Sequence, residues 1–445
     1  MVIYSESYIF IEMQNIINKV QNLLKTDDYK RLYVNFFSLS LLQGVNYLLP
    51  LITFPYIVRV IGAEKYGLLA FANATITYFM ILTDYGFNLS ATRKIAIHRN
   101  DQEKIVEIFS TVLSIQIVLM LISFFIMTII IVGLKSFRND WVIYFFSFGI
   151  VLGQVFFPIW FFQGMEQMKY ITLLNLLTKS IFTISIFVFV TQENDFYKIP
   201  MLNSIGTVFT GAVTIALINK KFDIHFKLQP FNKMLIELKD GWYIFTSRVF
   251  VSLYTTTNIF LLGIMTNNLV VGYYSIADRI ISISCRVFSI LNQTVYPYMS
   301  RLKENNFEDF ISFFLRLIKL IVCLSLFLFL VLYLCEDQIL DFLIKDEIDK
   351  CISSIYIILL FTVFTNPFGP FFTQTLLILK MDKEFNNIVK TTFVYNMILT
   401  PCFIYFFSGK GLAVNTFISQ VFVILLCYFF INKGLKSCKH SSPMK

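Results

Sequence analysis

Residues 51–96 read LITFPYIVRVIGAEKYGLLAFANATITYFMILTDYGFNLSATRKIA: two apolar stretches, a polar turn between them and a basic exit. The turn, Arg59–Gly67, has a glycine at each end of its polar core, Gly62 and Gly67. Glycine adopts the backbone angles that a short helix–helix turn requires, including positive φ. This stretch therefore predicts two apolar helices that reverse direction at the turn.

The second apolar stretch carries a polar face. Its polar side chains recur at helical spacing and share one side, while the other sides hold Leu, Ile, Phe and Met. The polar residues are Asn73, Thr77, Asp84 and Asn88. We expect this face to point toward an interior rather than toward lipid, because polar groups are costly in hydrocarbon.

The composition is that of a membrane protein. Hydrophobic residues make up 57% of the sequence and charged residues only 15%, against about 25% charged residues in an average soluble domain. Apolar runs of roughly 20 residues, enough to cross a bilayer as a helix, recur along the chain. The net charge of +9 comes mostly from basic residues in the predicted loops. Membrane topology explains these residues, so we expect no nucleic-acid partner.

The polar face has a weaker copy about 205 positions later in the chain. Residues 272–280, GYYSIADRI, align with residues 67–75, GLLAFANAT. The same offset carries Asn73 onto Asp278, so a polar face recurs in altered form. We interpret the chain as two related halves that bring polar spans to a shared interior. A chance alignment of apolar segments punctuated by glycine is the alternative.

The recurring apolar runs predict an all-α polytopic membrane protein with about twelve transmembrane helices in two pseudo-repeated six-helix lobes. The predicted parts are an N-terminal cytoplasmic or interfacial segment (1–33), a first lobe (34–218), a cytoplasmic linker (219–241), a second lobe (242–432) and a cytoplasmic tail (433–445). Prolines predict breaks in the fourth span, at Pro158, and in the tenth, at Pro367 and Pro370.

Lysine and arginine are distributed unevenly between the predicted loops. Loops that share a side with the N-terminus, including residues 98–104 and the linker, hold most of them. Basic residues mark the cytoplasmic side, so both termini are expected in the cytoplasm. The loops on the far side are short, and no extracytoplasmic domain is expected.

The predicted span eight, Tyr273–Tyr296, carries the most informative polar pattern. Its polar side chains alternate at spacings of four and three residues and form one continuous stripe. The stripe consists of Ser275, Arg279, Ser282, Arg286, Ser289 and Gln293. A helix in lipid would not carry such a stripe outward, so we expect it to face the interior.

Arginines on two neighbouring spans predict a cationic chamber. Arginine binds phosphate through two parallel hydrogen bonds, which suits a diphosphate. The candidate substrate-binding residues are Arg248 of span seven, Arg279 and Arg286 of span eight, Lys179 of the first half, and Ser282 and Gln293. Internal ion pairing, for example of Asp278 with Arg248, is the alternative.

Two acids inside the spans, Asp84 and Asp278, are candidates for binding a coupling ion or proton. Asp84 is the only acid deep in the first half, and a structural carboxylate held by Asn88 or Tyr85 is its alternative role. The three His are far apart and the seven Cys show no paired spacing. We therefore expect no metal site, no catalytic nucleophile and no cofactor.

Three motifs in the first half resemble Wzx-type oligosaccharide flippases of the multidrug/oligosaccharidyl-lipid/polysaccharide exporter superfamily. They are residues 54–67, FPYIVRVIGAEKYG, residues 84–94, DYGFNLSATRK, and residues 160–166, WFFQGME, which look like the exit of that family's fourth span. The second half matches the family only in pattern.

The resemblance implies a multi-pass, non-enzymatic protein of the bacterial inner (cytoplasmic) membrane. Such a flippase moves undecaprenyl-diphosphate-linked oligosaccharide repeat units, for O-antigen or capsule synthesis, by alternating access around a central cavity between two lobes. The implied partners are the lipid-linked oligosaccharide, membrane lipids, a polysaccharide polymerase and a chain-length regulator.

Two other classes of membrane protein are compatible with twelve spans. A cation-coupled drug or small-molecule exporter of the same superfamily favours an aromatic and acidic cavity, which the arginine stripe argues against. A membrane polymerase or glycosyltransferase usually carries a large extracytoplasmic loop or an acidic catalytic cluster, and the sequence shows neither.

Topology reporters test the expected orientation. Because basic residues mark cytoplasmic loops, reporters fused at Lys104, Gln229 and Lys383 are expected to read as cytoplasmic, and those at Asn139 and Asp346 as external. The activities of alkaline phosphatase and a fluorescent protein, normalised to the amount of each fusion, report the side. An external reading at Gln229 would contradict the two-half organisation.

Overall fold

The computed structural model describes residues 27–344 and 350–441, with the side chains of 27–43, 45–47, 136, 247, 248, 250–255 and 434–441 excepted. The described residues are 90% helical and include no strand. The predicted all-α class is therefore confirmed. Most of the predicted N-terminal segment, residues 1–26, lies outside the described residues.

Seventeen α-helices run through the described ranges. They are α1 (Asp27–Asp84), α2 (Phe87–Ile97), α3 (Gln102–Gly133), α4 (Lys135–Arg138), α5 (Trp141–Phe156), α6 (Ile159–Gly164), α7 (Met168–Phe189), α8 (Lys198–Phe222), α9 (Phe231–Met265), α10 (Asn268–Ser284), α11 (Arg286–Asn305), α12 (Phe307–Leu334), α13 (Glu336–Leu343), α14 (Lys350–Leu360), α15 (Thr362–Thr365), α16 (Phe368–Ile378) and α17 (Asp382–Ser441). A 3₁₀ turn, Glu193–Tyr197, precedes α8.

Eight helical stretches of the described chain are long and apolar enough to cross a membrane. Two of them, Leu48–Ile97 and Asp382–Lys433, are 50 and 52 residues long, far beyond one crossing. The long helices in these stretches, α1 and α17, each have a residue with non-helical backbone angles inside them, Gly62 and Ser408. Each long helix therefore consists of two arms, and the count of twelve spans stays a prediction.

The helix breaks expected from glycine and proline are confirmed. Gly62 has φ 75°, a conformation that favours glycine, and it separates the two arms of α1 inside the predicted turn. The fourth predicted span consists of two helices: α5 ends at Phe156, and α6 begins after Pro158. The tenth is divided near Pro367 into α14, α15 and α16.

Span eight differs from the sequence-based expectation. Span eight is not one helix, because it is interrupted at Cys285 between α10 and α11, and the polar stripe is interrupted with it. The linker is mostly helical: α8 extends to Phe222 and α9 already begins at Phe231, which leaves 223–230 as the non-helical connection. The lobe boundaries drawn from the sequence stay predictions.

The two halves meet through two glycines that the internal repeat aligns with each other, Gly67 and Gly272. A Cβ added to Gly67 would overlap the backbone of Asn268 and Gly272, and a Cβ added to Gly272 would overlap the carbonyl of Ala63. Small residues allow such close approach of two helix backbones. Equivalent residues that face each other are the signature of a two-fold relation, which supports the interpretation of two related halves.

Helix α9 runs along the second arm of α1, residues 63–84, over most of its length. At one end Phe71 stacks on Phe260, with ring centroids 5.9 Å apart. Further along, the hydroxyls of Tyr78 and Thr257 are hydrogen bonded at 2.8 Å. At the other end the Tyr85 ring stacks on Phe245 at 4.4 Å. The second arm of α1 therefore lies at the boundary between the two halves.

Substitution of Gly67 tests the close backbone contact. Gly67→Ala is expected to lower the free energy of unfolding by about 1–3 kcal/mol, because the new methyl group meets rigid backbone. Denaturation of the purified protein in mixed micelles, followed by tryptophan fluorescence, measures the change. Gly133→Ala is the matched control, since a Cβ there meets nothing within 4 Å, and its effect should stay within about 0.5 kcal/mol. Equal effects of the two substitutions would contradict the packing role.

Candidate functional site

A sharp backbone break positions Asp84 at the end of α1. Tyr85 and Gly86 both have left-handed backbone angles, with φ 46° and 80°, so the helix stops at Asp84 and restarts at Phe87. Asp84 is 7% exposed, and its Oδ1 accepts a hydrogen bond from Asn88 Nδ2 at 2.5 Å. The break thus holds a buried carboxylate beside an amide on the predicted polar face.

Helix α9 docks on this break through an ion pair and an aromatic stack. Lys94 Nζ lies 2.7 Å from Glu237 Oε2 and 3.1 Å from Asp240 Oδ2. The Tyr85 hydroxyl donates to the Leu238 carbonyl at 3.2 Å. These contacts join α9 to the break after α1 and to α2. They hold Ile244 of α9 against Gly86.

A pocket of about 960 Å³, the lobe-one pocket, lies beside Asp84. Three of the four residues of the predicted polar face, Thr77, Asp84 and Asn88, line it. Amides and hydroxyls of the other first-half helices complete its polar lining: Gln116, Gln154, Asn175, Thr178, Thr207 and Thr210. Tyr243 and Ile244 of the docked helix α9 also line the pocket.

A second pocket, of about 260 Å³, receives Arg279 from the second half. We call it the arginine pocket. First-half residues form the rest of its lining, and their polar members are Thr53, Tyr66, Asn73, Ser147 and Asn203. No acidic residue occurs among the described residues that line it. Arg279 is therefore the one charged residue among the described residues that line this pocket.

Two more cations lie near Arg279. The charge of Lys179, on α7 of the first half, is subject to repulsion from both Arg279 and Arg286. Like charges repel appreciably inside a protein only at close range, so Lys179 of the first half lies near both arginines of the second half. Lys179 and Arg286 each make further interactions.

Asp278 is the acid nearest to Arg279 in sequence. Its charge acts on Arg279 and on the hydroxyls of Tyr66 and Tyr274. No salt bridge joins Asp278 to a cation within the described part of the chain. The proposed pairing with Arg248 falls outside it, because the Arg248 side chain is not described, although its backbone lies in α9.

The remaining candidate residues lie on either side of the break at Cys285. Ser282 is half-buried on α10, and Gln293 is exposed on α11. Neither lines the arginine pocket. The structure thus brings Lys179, Arg279 and Arg286 together, keeps Asp84 in a separate pocket, and leaves Ser282 and Gln293 at the margin.

Sequence reasoning missed several pocket residues. Asn203, Gln116 and Gln154 are single polar residues inside apolar runs, and they belong to none of the polar stripes that periodicity revealed. A single amide inside an apolar run is costly in a membrane span, and this cost was the signal that could have identified these residues as pocket residues. Ser147 and Thr53 gave no signal, because hydroxyls at these positions commonly bond to their own helix.

An all-helical fold of two related halves that enclose polar pockets at their boundary defines a polytopic membrane transporter. The chain belongs to the family described as polysaccharide biosynthesis protein, whose model matches residues 32–303. This match confirms the resemblance noted in residues 54–67 and 84–94.

Two related proteins are candidate O-antigen transporters. One, from Escherichia coli (strain K12), is 28% identical over 411 residues, which cover 91% of this chain and 98% of the relative. The other, from Shigella dysenteriae, is 29% identical over 280 residues, which cover 62% of this chain and 69% of the relative.

Solved structures share the fold at low identity. An inward-facing multidrug resistance MATE family transporter of the MOP superfamily superposes with a TM-score of 0.65 and 14% identity, covering 88% of this chain and 99% of that chain. The lipid II flippase MurJ in an inward closed conformation gives 0.61 and 16%, with coverages of 92% and 89%.

Proposed function

We propose that this protein is a flippase that moves undecaprenyl-diphosphate-linked oligosaccharide repeat units across the bacterial inner membrane for surface polysaccharide synthesis. The observation that carries the proposal is that Arg279 of the second half lines a pocket whose other polar residues are first-half amides and hydroxyls, and that Lys179 lies within electrostatic reach of Arg279 and Arg286. The names of the relatives and the family match support the same class of substrate.

The energetic cost of these cations supports a ligand role. A charged side chain at mid-span is unfavourable by roughly 2.5–3.5 kcal/mol on insertion scales, and such residues usually serve ion or substrate pathways. Mutual repulsion of three cations adds to this cost. A diphosphate relieves it, because its oxygens accept paired hydrogen bonds from an arginine fork.

The size of the arginine pocket fits a small anionic group. Its volume of about 260 Å³ lies below the range of roughly 300–1,000 Å³ that typical ligand pockets occupy. Phosphate oxygens fit this volume, and a polyprenyl tail does not. In the proposed arrangement the diphosphate sits at Arg279 while the tail stays in the lipid.

Alternating access is the proposed mode of transport. The halves touch backbone to backbone at Gly67 and Gly272. We propose that such a contact closes the interface between the halves at one end only. Rocking of one half against the other around the cationic site would open each side in turn. We propose that both termini are cytoplasmic, as the distribution of basic residues predicts, and that a polysaccharide polymerase and chain-length regulator receive the product outside.

A cation-coupled drug exporter is the second candidate, since a MATE family transporter shares the fold. The arrangement of charges disfavours cationic drugs as substrates. Arg279 of the second half lines a pocket of first-half residues and acts electrostatically, with Arg286, on Lys179, so these basic side chains would repel a cation. An anionic headgroup therefore fits the described site better.

Asp84 is the proposed coupling residue, with Asp278 as the second candidate. Asp84 is buried, lines the lobe-one pocket and accepts a hydrogen bond from Asn88. A buried carboxylate that reaches a pocket can take up a proton or cation from one side and release it to the other. Asp84 and Arg279 line different pockets, so the negative charge of Asp84 does not neutralise the positive charge of Arg279.

Substitution of Arg279 tests the diphosphate site. Arg279→Ala is expected to reduce translocation of the lipid-linked repeat unit roughly ten-fold or more, the value of one or two charge-assisted hydrogen bonds. Arg279→Lys should restore it only in part, because lysine lacks the fork. Transport in cells, normalised to membrane abundance, is the measurement. Arg301→Ala, at an exposed arginine of α11, is the matched control, and normal transport by Arg279→Ala would refute the site.

Substitution of Asp84 tests the coupling role. Asp84→Asn keeps the volume and an acceptor for Asn88, so the stability should change by no more than about 1 kcal/mol. Transport driven by a proton or sodium gradient in proteoliposomes is expected to disappear, because the amide cannot bind either ion. Asp341→Asn, at an exposed acid, serves as control. Gradient-driven transport at the normal rate would assign Asp84 to structure alone.

A further inference from the structure

Three neutral side chains of the arginine pocket are accessible and make no hydrogen bond within the described part of the chain. Asn73 is exposed, and Tyr66 and Asn203 are half-buried. All three line the pocket, and neither the two amides nor the Tyr66 hydroxyl bonds to another described group. Their donors are therefore available to a molecule inside the pocket.

The Arg279 guanidinium adds a charge to these donors. Arg279 is half-buried, lines the same pocket and makes no hydrogen bond or salt bridge with another described residue. Asp278 acts on it through charge alone, and Lys179 is repelled by it. Four side chains with available donors thus line one small cavity.

The two other polar residues of the pocket differ from these four. The Thr53 hydroxyl donates to the Leu49 carbonyl of its own helix at 3.0 Å. Ser147 is only 1% exposed, so it offers almost no surface to a ligand. We give the name donor set to the four side chains that remain, Tyr66, Asn73, Asn203 and Arg279.

The chemistry of the donor set suits a phosphate. A tyrosine has one O–H donor, an asparagine amide has two N–H donors, and an arginine presents five in a fixed fork. Among the described lining residues there is no carboxylate that would compete for these donors. Phosphate oxygens accept hydrogen bonds and carry negative charge, so they can bond to all four side chains.

The donor set is spread over two helical turns and over both halves. Tyr66 and Asn73 lie on one face of the second arm of α1, about 10 Å apart along its axis. Asn203 belongs to α8, and Arg279 belongs to α10 of the second half. A ligand with two linked phosphates suits this spread better than a single phosphate does, and it would bond to both halves at once.

We infer that Tyr66, Asn73 and Asn203 are specificity-determining residues that donate hydrogen bonds to the diphosphate of the lipid-linked substrate and select a diphosphate over a single phosphate. The inference rests on the proposed function, in which Arg279 holds the diphosphate. The first half supplies three neutral donors and the second half supplies the charge. The bound diphosphate therefore joins the two halves at the pocket.

Binding to the full-length protein in nanodiscs tests the selection. The probes are undecaprenyl diphosphate and undecaprenyl phosphate, which share the lipid and differ by one phosphate. The wild type should bind the diphosphate at least about ten-fold more tightly, the value of one further hydrogen bond to a charged group. Equal affinities for the two lipids would overturn the inference.

Tyr66→Phe, Asn73→Ala and Asn203→Ala each remove one neutral donor. Each should weaken binding of undecaprenyl diphosphate by roughly ten-fold and reduce the preference for it over undecaprenyl phosphate. The midpoint of thermal unfolding without ligand should stay at the wild-type value, because none of these groups bonds to another described residue. The rise of that midpoint on addition of undecaprenyl diphosphate should shrink. A purely structural role would instead lower the midpoint without ligand.

Asn73→Asp separates contact with the phosphate from a general effect of substitution. The carboxylate has nearly the volume of the amide but repels a phosphate, so binding of undecaprenyl diphosphate should fall at least about 100-fold. Asn387→Ala and Tyr405→Phe are the matched controls. Both residues are exposed on α17 and lie outside the arginine pocket, so the affinity should not change.

The outcomes separate the three neutral donors from the proposed function. If Arg279→Ala weakens binding of undecaprenyl diphosphate but the variants of Tyr66, Asn73 and Asn203 keep the wild-type affinity, the inference is wrong and the diphosphate site stands. If undecaprenyl diphosphate does not bind, or if Arg279→Ala leaves its affinity unchanged, the diphosphate site fails and the inference fails with it.

Discussion

The backbone contact between Gly67 and Gly272 is the constraint on which the arrangement of the two halves depends. Two helix backbones can approach this closely only where neither residue has a Cβ. The contact fixes the start of α10 against the second arm of α1, and α9 then runs along that arm past Tyr78 to Tyr85. Every polar group that the halves share is positioned relative to this crossing.

The second arm of α1 lines two pockets that differ in charge. Its polar face reaches the arginine pocket at Asn73 and the lobe-one pocket at Thr77, Asp84 and Asn88. Burial makes charges costly, and Arg279 lines the one pocket while Asp84 lines the other.

Much of the local structure was predictable because its causes are local. Glycine and proline disfavour a continuous helix for local reasons, and Gly62 and Pro158 marked real breaks. Helical periodicity identified the polar face of residues 63–84. It failed at Cys285, since a kink between two helices of suitable composition leaves no signal in spacing, and the stripe of span eight was drawn as continuous when it is not.

The sequence by itself determined the membrane class, the helical fold, the main helix breaks and the relation between the halves, because hydropathy, breakers and an internal repeat are properties of neighbouring residues or of a fixed offset. Only the tertiary structure decided that Lys179 lies near Arg279 and Arg286, and that Gln116, Gln154 and Trp160 share one cavity. Those residues are far apart in the chain, and their proximity follows from helix packing, in which one crossing of two glycines sets the position of the rest.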